Sequence, residues 1–287
     1  MAFHSAELRA AAAGEARVVS PTLRAFALLE CIATADESPT LEELTRASGL
    51  PKPTVHRNLR LLMRGDLVER EVNDKRYAIG PRACALSLAV QIRSPRRRER
   101  HAILARLVEA IGETCNFTML DGREVVYLER VETSANVRLH MKTGSRVPLH
   151  CTASGKLLLS NMPVAQVRRL LGSGPLKRYT ERTIVSVDAL ARELAKIRAT
   201  GVGTDVGEYL DGSVCLAVPV RDPLGRMCAT IAVHGPAPRM TLKKGYTFLP
   251  ALHKAAAAIA VTLFPTKSDL PTSREKAQTS RTKRIAA

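Results

Sequence analysis

No apolar run in this 287-residue chain is long enough to cross a bilayer; Ala255–Phe264, among the longest, falls far short of the ~20 residues a spanning helix needs. The first 18 residues contain Ala10–Ala13 but also Glu7, Arg9 and Glu15, so the apolar core of a secretory leader is missing too. These absences lead to the expectation of a cytoplasmic protein with no membrane partner. Paired cysteines are also lacking. Cys31, Cys84, Cys115, Cys151, Cys215 and Cys228 are scattered with no CxxC spacing, which fits reduced thiols and excludes a paired-cysteine zinc finger. Glycine-rich phosphate loops of the Walker or GxGxxG kind are absent as well.

Acidic residues are in short supply. Asp and Glu number 27 against 44 Lys and Arg, giving a formal charge of +17, which points to a polyanionic partner. The excess is not concentrated in any one obvious binding segment, because residues 19–93 hold 11 basic and 9 acidic side chains. Placement of charge therefore matters more than its total. With 45% hydrophobic residues the chain has material for buried cores, and its length suits two domains.

The order of local signals is informative from residue 19 onward. Ser20-Pro21 reads as a helix start, and Thr22–Ala33 offers Leu23, Phe26, Ala27, Leu29 and Ile32 for a core stripe. Thr40-Leu41-Glu42-Glu43 is a capping-box pattern opening a short helix that would bury Leu41, Leu44 and Ala47 and stop at Ser48-Gly49. A third helix restarts around Pro53, where a missing N–H costs little, and runs to about Met63 with Val55, Leu59 and Leu62 inward. Leu67–Glu71 and Lys75–Ile79 are extended runs joined by the turn pair Asn73-Asp74. Helix, short helix, glycine turn, helix and hairpin, in that order, spell a winged helix-turn-helix.

Pro81–Ile92 reads as a further helix with more apolar surface than one small domain needs. It is followed by the charged run Arg96–Arg100, read here as a hinge. A helix from His101 to about Glu113 opens the second domain. Strands are expected at Asn116–Leu120, Glu124–Val131, Asn136–Met141, Gly203–Tyr209, Val214–Arg221 and Met227–Val233, with helices at about Ala153–Ser160, Val164–Leu171, Ser186–Thr200 and Leu242–Leu263. The expected organisation is a disordered 1–18, a winged helix-turn-helix DNA-binding domain over 19–80, a linker helix and basic hinge over 81–100, a second domain of helices and strands over 101–264 (the effector-binding domain of the resemblance below), and a basic disordered tail over 265–287.

At this point the chain resembles the IclR family of bacterial transcriptional regulators. The resemblance is carried by Leu50-Pro51-Lys52-Pro53-Thr54-Val55-His56-Arg57, by Gly144–Lys156, by the Cys215–Val220 strand and by Ile231–Pro236. It implies an α+β protein with an N-terminal winged helix-turn-helix, a linker helix and a C-terminal GAF-like α/β domain with an antiparallel sheet. It also implies dimers or tetramers, and effectors that are usually small organic acids.

If Val55, Leu59 and Leu62 face the core, then Lys52, Thr54, His56, Arg57 and Arg60 are free for DNA, with Arg57 suited to a guanine or a phosphate. Lys75 and Arg76 at the wing would add backbone contacts. One such domain makes too few contacts for a specific site, so a homo-oligomer on a pseudo-palindromic double-stranded operator is expected.

For the effector, Cys151-Thr152-Ala153-Ser154-Gly155 leads into a helix whose unpaired N–H groups at Ala153 and Ser154 suit a carboxylate. An ordinary capped helix start is the competing reading. The resemblance places Asp205, Cys215, Ala232 and His234 on pocket-lining positions. Members that bind small keto acids often carry serines at the last two, a departure that disfavours such ligands here. Leu139, Met141, Val147 and Leu149 would supply apolar walls.

Other readings of the same residues stay open at this level. Cys151, Cys215, His150 and His234 invite thiol–imidazole catalysis, but no third orienting group is evident and no enzyme is expected. The same set would suit a metal-responsive regulator, although no pair has local zinc spacing. A DNA-binding architectural protein with a degenerate sensor is a further alternative. No cofactor is expected.

Overall fold

The computed structural model describes residues 20–35, 37–71, 75–134, 142–172 and 174–265. The N-terminal segment, the Asn73-Asp74 turn, the expected 136–141 strand with Leu139 and Met141, and nearly all of the basic tail lie outside these residues. The chain divides between Ser94 and Pro95 into two compact units.

The first unit begins with α1 (Pro21–Thr34), α2 (Leu41–Ser48) and α3 (Lys52–Arg64). The capping box forms: Thr40 Oγ1 accepts from the Glu43 N–H at 3.3 Å, and the Glu43 carboxylate accepts from the Thr40 N–H at 2.7 Å. Gly49, at φ +64°, closes α2 in the left-handed region and turns the chain into α3. Ala27, Leu28, Ile32, Leu44, Val55, Leu59 and Leu62 meet in one core.

Two sequence expectations need correcting here. Leu23 and Phe26 are exposed and Leu28 takes the buried position on α1, while on α2 Ser48 is buried and Ala47 is not. Ser48 tolerates burial because its hydroxyl donates to the Leu44 carbonyl at 2.7 Å.

β1 (Val68–Arg70) and β2 (Tyr77–Ile79) form the antiparallel wing, with Val68 and Tyr77 inward. The Tyr77 N–H also donates to the Pro39 carbonyl at 2.9 Å, stitching the wing to the approach to α2. α4 (Pro81–Ile92) follows, and none of its residues is buried; Leu86 and Val90 are each 57% exposed.

The second unit opens with α5 (Arg97–Ile111), which starts inside the charged run expected to be a hinge. Arg97 donates to Glu129 at 2.8 Å, and Arg100 is fully buried with its guanidinium over the Phe117 ring. Arg100 therefore belongs to the core of this unit, and Arg97, though exposed, is tied to it through the buried Glu129.

An antiparallel six-stranded sheet comes next in space. Its strands are β3 (Thr114–Asp121), β4 (Glu124–Val131), β5 (Arg146–Pro148), β6 (Gly203–Val206), β7 (Ser213–Arg221) and β8 (Met227–Pro236), ordered β5-β4-β3-β8-β7-β6. α6 (Ala153–Ser160) lies on β6, β7 and β8 with α8 (Val187–Thr200) packed against it, and α7 (Val164–Leu171) packs on α8. α5 packs on β3 and β4 together with α10 (Leu249–Leu263), which also covers β7 and β8. The expected single helix over 242–263 is two, because α9 (Leu242–Thr247) ends before Pro250, whose missing N–H suits only the first turn of a new helix.

A bulge in β4 sets the phase of the sheet. Phe117 pairs with Glu129 and Thr118 pairs with Tyr127, so Leu128 is an extra residue. Tyr127 and Arg130, three apart, therefore face the same side, and Glu129 faces α5.

Candidate functional site

On α3 the buried residues Val55, Asn58, Leu59 and Leu62 fix which side chains face out. Lys52, His56, Arg57, Arg60, Leu61 and Arg64 are exposed, and Thr54 is half-buried. Lys52 reaches Glu42 at 3.3 Å, but both side chains are exposed. Among the described residues Arg57, Arg60 and Arg64 meet no carboxylate, and with His56 and Leu61 they line a shallow concavity of about 200 Å³. Arg64, absent from the sequence expectation, extends this cationic face by a turn. Lys75 stands at φ +52° at the edge of the described wing. Arg76 is differently placed: its guanidinium donates to the Ser38 carbonyl at 2.7 Å and lies 3.6 Å from Glu43, so it ties the wing to α2.

In the second unit a cavity of about 410 Å³ opens between α6 and the sheet. Cross-strand pairing explains its floor. Asp205, Cys215 and His234 sit opposite one another across β6, β7 and β8. The next rung runs Ala217, Ala232, Asn116, Arg130 across β7, β8, β3 and β4. Gly203 carries β6 against α6, where a Cβ would stand 2.2 Å from the Ala153 carbonyl oxygen, so only glycine fits. At the start of α6 the Thr152 hydroxyl accepts from the Gly155 N–H at 3.2 Å. Among the described residues the Ala153 and Ser154 N–H groups, the first two of the helix, meet no acceptor.

Of the residues expected from sequence, Val147, Ala153, Ser154, Asp205, Cys215, Ala232 and His234 line this cavity. Leu149 does not; it is fully buried in the apolar cluster with Val125, Val147 and Leu159. Cys151 is also fully buried and lies outside the lining. Lys156 faces neither solvent nor ligand, being fully buried with Glu208 and, at 3.9 Å, Glu193 as its acids.

Several lining residues escaped the sequence reading. Asn116 accepts from Arg130 at 2.7 Å, and Arg130, itself buried, also donates to His234 Nε2 at 3.2 Å. A guanidinium has no acceptor, so Nε2 carries the lone pair and the imidazole is neutral with its proton on Nδ1. Burial and then the Arg130 charge push the His234 pKa down to about 3. Tyr127, Tyr179 and Tyr209 add aromatic walls, the last two in edge contact with centroids 5.1 Å apart.

Tyr179 is held by a loop in which His150 Nε2 donates to the Lys177 carbonyl at 2.9 Å and Thr180 and Thr183 each donate to the 207–208 carbonyls at 2.6 Å. Burial raises the titration of Cys151 and of Cys215, keeping both as thiols rather than nucleophilic thiolates. Among the described residues no three His, Cys, Asp or Glu side chains are grouped to hold a metal ion.

Known proteins carry the same two parts. The family model for the bacterial transcriptional regulator IclR C-terminal domain matches residues 93–261, and that for the IclR helix-turn-helix domain matches residues 21–72. The chain is 46% identical over 234 residues to the probable transcriptional regulator SauR of Cupriavidus necator, spanning 82% of this chain and 93% of that protein. Among solved structures it is similar to the Thermotoga maritima IclR, at 29% identity and TM-score 0.55 over 83% of this chain and 96% of the other. It is also similar to the PobR inducer-binding domain from Acinetobacter, solved as a double mutant with 3-hydroxybenzoic acid. That match has 25% identity and TM-score 0.53, over 57% of this chain and 96% of the other.

Proposed function

From the premise that the chain belongs to the IclR family of DNA-binding transcriptional regulators with an effector-binding C-terminal domain, we propose that a small organic acid in the 410 Å³ cavity sets its affinity for an operator. The observation that carries this reading is the cavity itself. It puts two unused helix N–H groups beside aromatic walls and a neutral histidine, a set that suits an anion with an attached flat or apolar body. The volume and the three tyrosines favour an aromatic acid over a two- or three-carbon keto acid. The PobR domain's 3-hydroxybenzoate gives this preference a precedent.

On the DNA side, α3 lies in the major groove with Thr54, His56 and Arg57 toward the base edges, while Lys52, Arg60 and Lys75 reach phosphates. Arg76 acts by fixing the wing. The exposed Leu86 and Val90 of α4, with Leu23 and Phe26 of α1, meet a second copy of the chain, so that two reading heads span a two-fold operator.

The test uses full-length protein and its own upstream intergenic DNA. Benzoate, 3-hydroxybenzoate, pyruvate and glutarate are screened for thermal stabilisation, and those that stabilise are added to DNA-binding titrations with wild type and Arg57→Ala. The reading expects an aromatic acid to raise the melting temperature and to change wild-type operator affinity. Stabilisation by none of these acids would sink it.

A further inference from the structure

Asp205 is an odd residue to find in an acid-binding cavity. It sits in mid-β6, is 3% exposed and lines the cavity beside Cys215 and Tyr127. Gly203, two residues earlier, presses on Ala153, so Asp205 stands close to the end of α6 where an anion would be received. Two full negative charges that close in a water-poor site repel strongly.

Among the described residues no cation is paired with Asp205. From its own loop the Glu208 N–H donates to Oδ1 at 2.8 Å, the Tyr209 N–H adds a second bond, and the Glu208 carboxylate adds a like charge. From α6, Lys156 is its nearest cation, but that ammonium is engaged by Glu208 and by Glu193 of α8. Arg130 of β4 is turned to Asn116, His234 and Glu132. Among the described residues the other titratable neighbours are the phenols of Tyr127 on β4 and of Tyr179 and Tyr209 in the wall, the thiols of Cys215 on β7 and Cys151 before α6, and the imidazole of His234 on β8. Burial favours the neutral form of each.

Within that setting the Thr152 and Ser213 hydroxyls already donate to the Pro148 and Leu210 carbonyls and Asn116 accepts from Arg130, which leaves the Ala153 and Ser154 N–H groups and the tyrosine hydroxyls as donors, and Asp205 is the one carboxylate among the described lining residues. We propose that Asp205 receives an acidic effector as a neutral carboxylic acid that donates a hydrogen bond to it, so that each acid enters the cavity together with one proton. The proposal rests on the sensor reading above and extends it to selectivity, since an ionised Asp205 would instead favour amines. A carboxyl kept neutral by an apolar, buried setting is a known donor to bound oxyanions. Burial has already pushed Asp205 up to about 7, with Lys156 opposing, so taking the proton at neutral pH is easy.

The test compares wild type with Asp205→Asn, an isostere of the protonated form. Without ligand, the raised pKa makes the native state bind the proton more tightly than the unfolded chain. Wild-type stability therefore falls as pH rises between about 4 and 7 and levels off above it. The asparagine variant lacks this loss, so its melting temperature should exceed that of wild type by a margin that widens by a few degrees from pH 5 to pH 8. A margin independent of pH overturns the proposal.

With benzoate and 3-hydroxybenzoate as probes, wild-type affinity should be flat below pH 7 and fall about tenfold per pH unit above it, while the variant stays flat. Calorimetry in two buffers of different ionisation enthalpy should show nearly one proton taken up per site at pH 8. Acid binding without proton uptake, or benzylamine binding that Asp205→Asn abolishes, would overturn the proposal and leave the sensor reading standing. Absence of any acid binding at any pH overturns both, a result told apart by the missing stabilisation.

Discussion

Arg57 and Arg130 show how differently the two units use the same side chain. Arg57 stands in water on α3 with no carboxylate near it among the described residues, whereas Arg130 is buried, holding Asn116, His234 and Glu132 at once. The contrast extends to the whole units. The first presents cations on a surface whose shape comes from a small apolar core, so its charge is free to meet phosphate and costs the fold little. The second draws polar groups out of water around a cavity, and there each charge is part of the structure. Surface charge supplies recognition that the fold can do without; buried charge cannot be removed without disturbing what it supports.

The sharpest break of this comparison is Lys156→Met. It leaves Glu208 and Glu193 without their shared buried ammonium, and loss of one partner of a buried pair should cost roughly 3–5 kcal/mol of stability in the second unit. Thermal denaturation should show it, and a melting point within a degree of wild type would contradict the account. Next comes Arg57→Ala, which should lose about 1–3 kcal/mol of specific operator affinity with no resolvable change in melting temperature. Fluorescence anisotropy at fixed salt checks the first half and calorimetry the second. Thr40→Ala removes the capping box of α2 and should destabilise the first unit by about 1 kcal/mol; chemical denaturation followed on that unit measures it. The smallest effect is expected for Lys52→Ala. Its exposed pair with Glu42 is worth well under about 1 kcal/mol, so only the slope of DNA affinity against salt should move, by about one unit.

Legibility in the sequence follows the same division. The reading head could be foreseen because its determinants are local: the capping box at Thr40–Glu43, the stop at Gly49, and the 55–59–62 spacing that turns Arg57 outward. On α1 the pattern was ambiguous, because Leu23 and Phe26 are as apolar as Leu28 and only packing decides which goes inside. In the second unit, Ala153 and Ser154 follow from the small-residue helix start, whereas Asp205, Cys215, Ala232 and His234 come only through family resemblance, since nothing in their spacing brings them together. Arg130 and Tyr127 were missed because strict alternation would send them to opposite faces. Tyr179 and Tyr209 were missed because they sit on segments with no periodicity, joined by Thr180 and Thr183 hydrogen bonds that no local pattern announces. The charged 96–100 run misled for a related reason: Glu129, the acid that draws Arg97 into the fold, is some thirty residues away.

The bulge at Leu128 has one more implication, for how this protein can change length. Because Leu128 is surplus to the pairing of β4 with β3, the strand carries slack at that point and nowhere else nearby. Deleting Leu128 would restore an unbroken ladder and still leave Tyr127 and Arg130 on the cavity side, at the price of one buried leucine. Deleting Glu129 instead would let Leu128 take its place in the ladder and keep Arg130 inward, but would strip α5 of the acid that Arg97 and His101 reach. An insertion between Tyr127 and Arg130 would have to widen the bulge or turn Arg130 away from Asn116 and His234. Descendants of this sequence can therefore shorten β4 at one residue and remain sensors, whereas they can hardly lengthen it there.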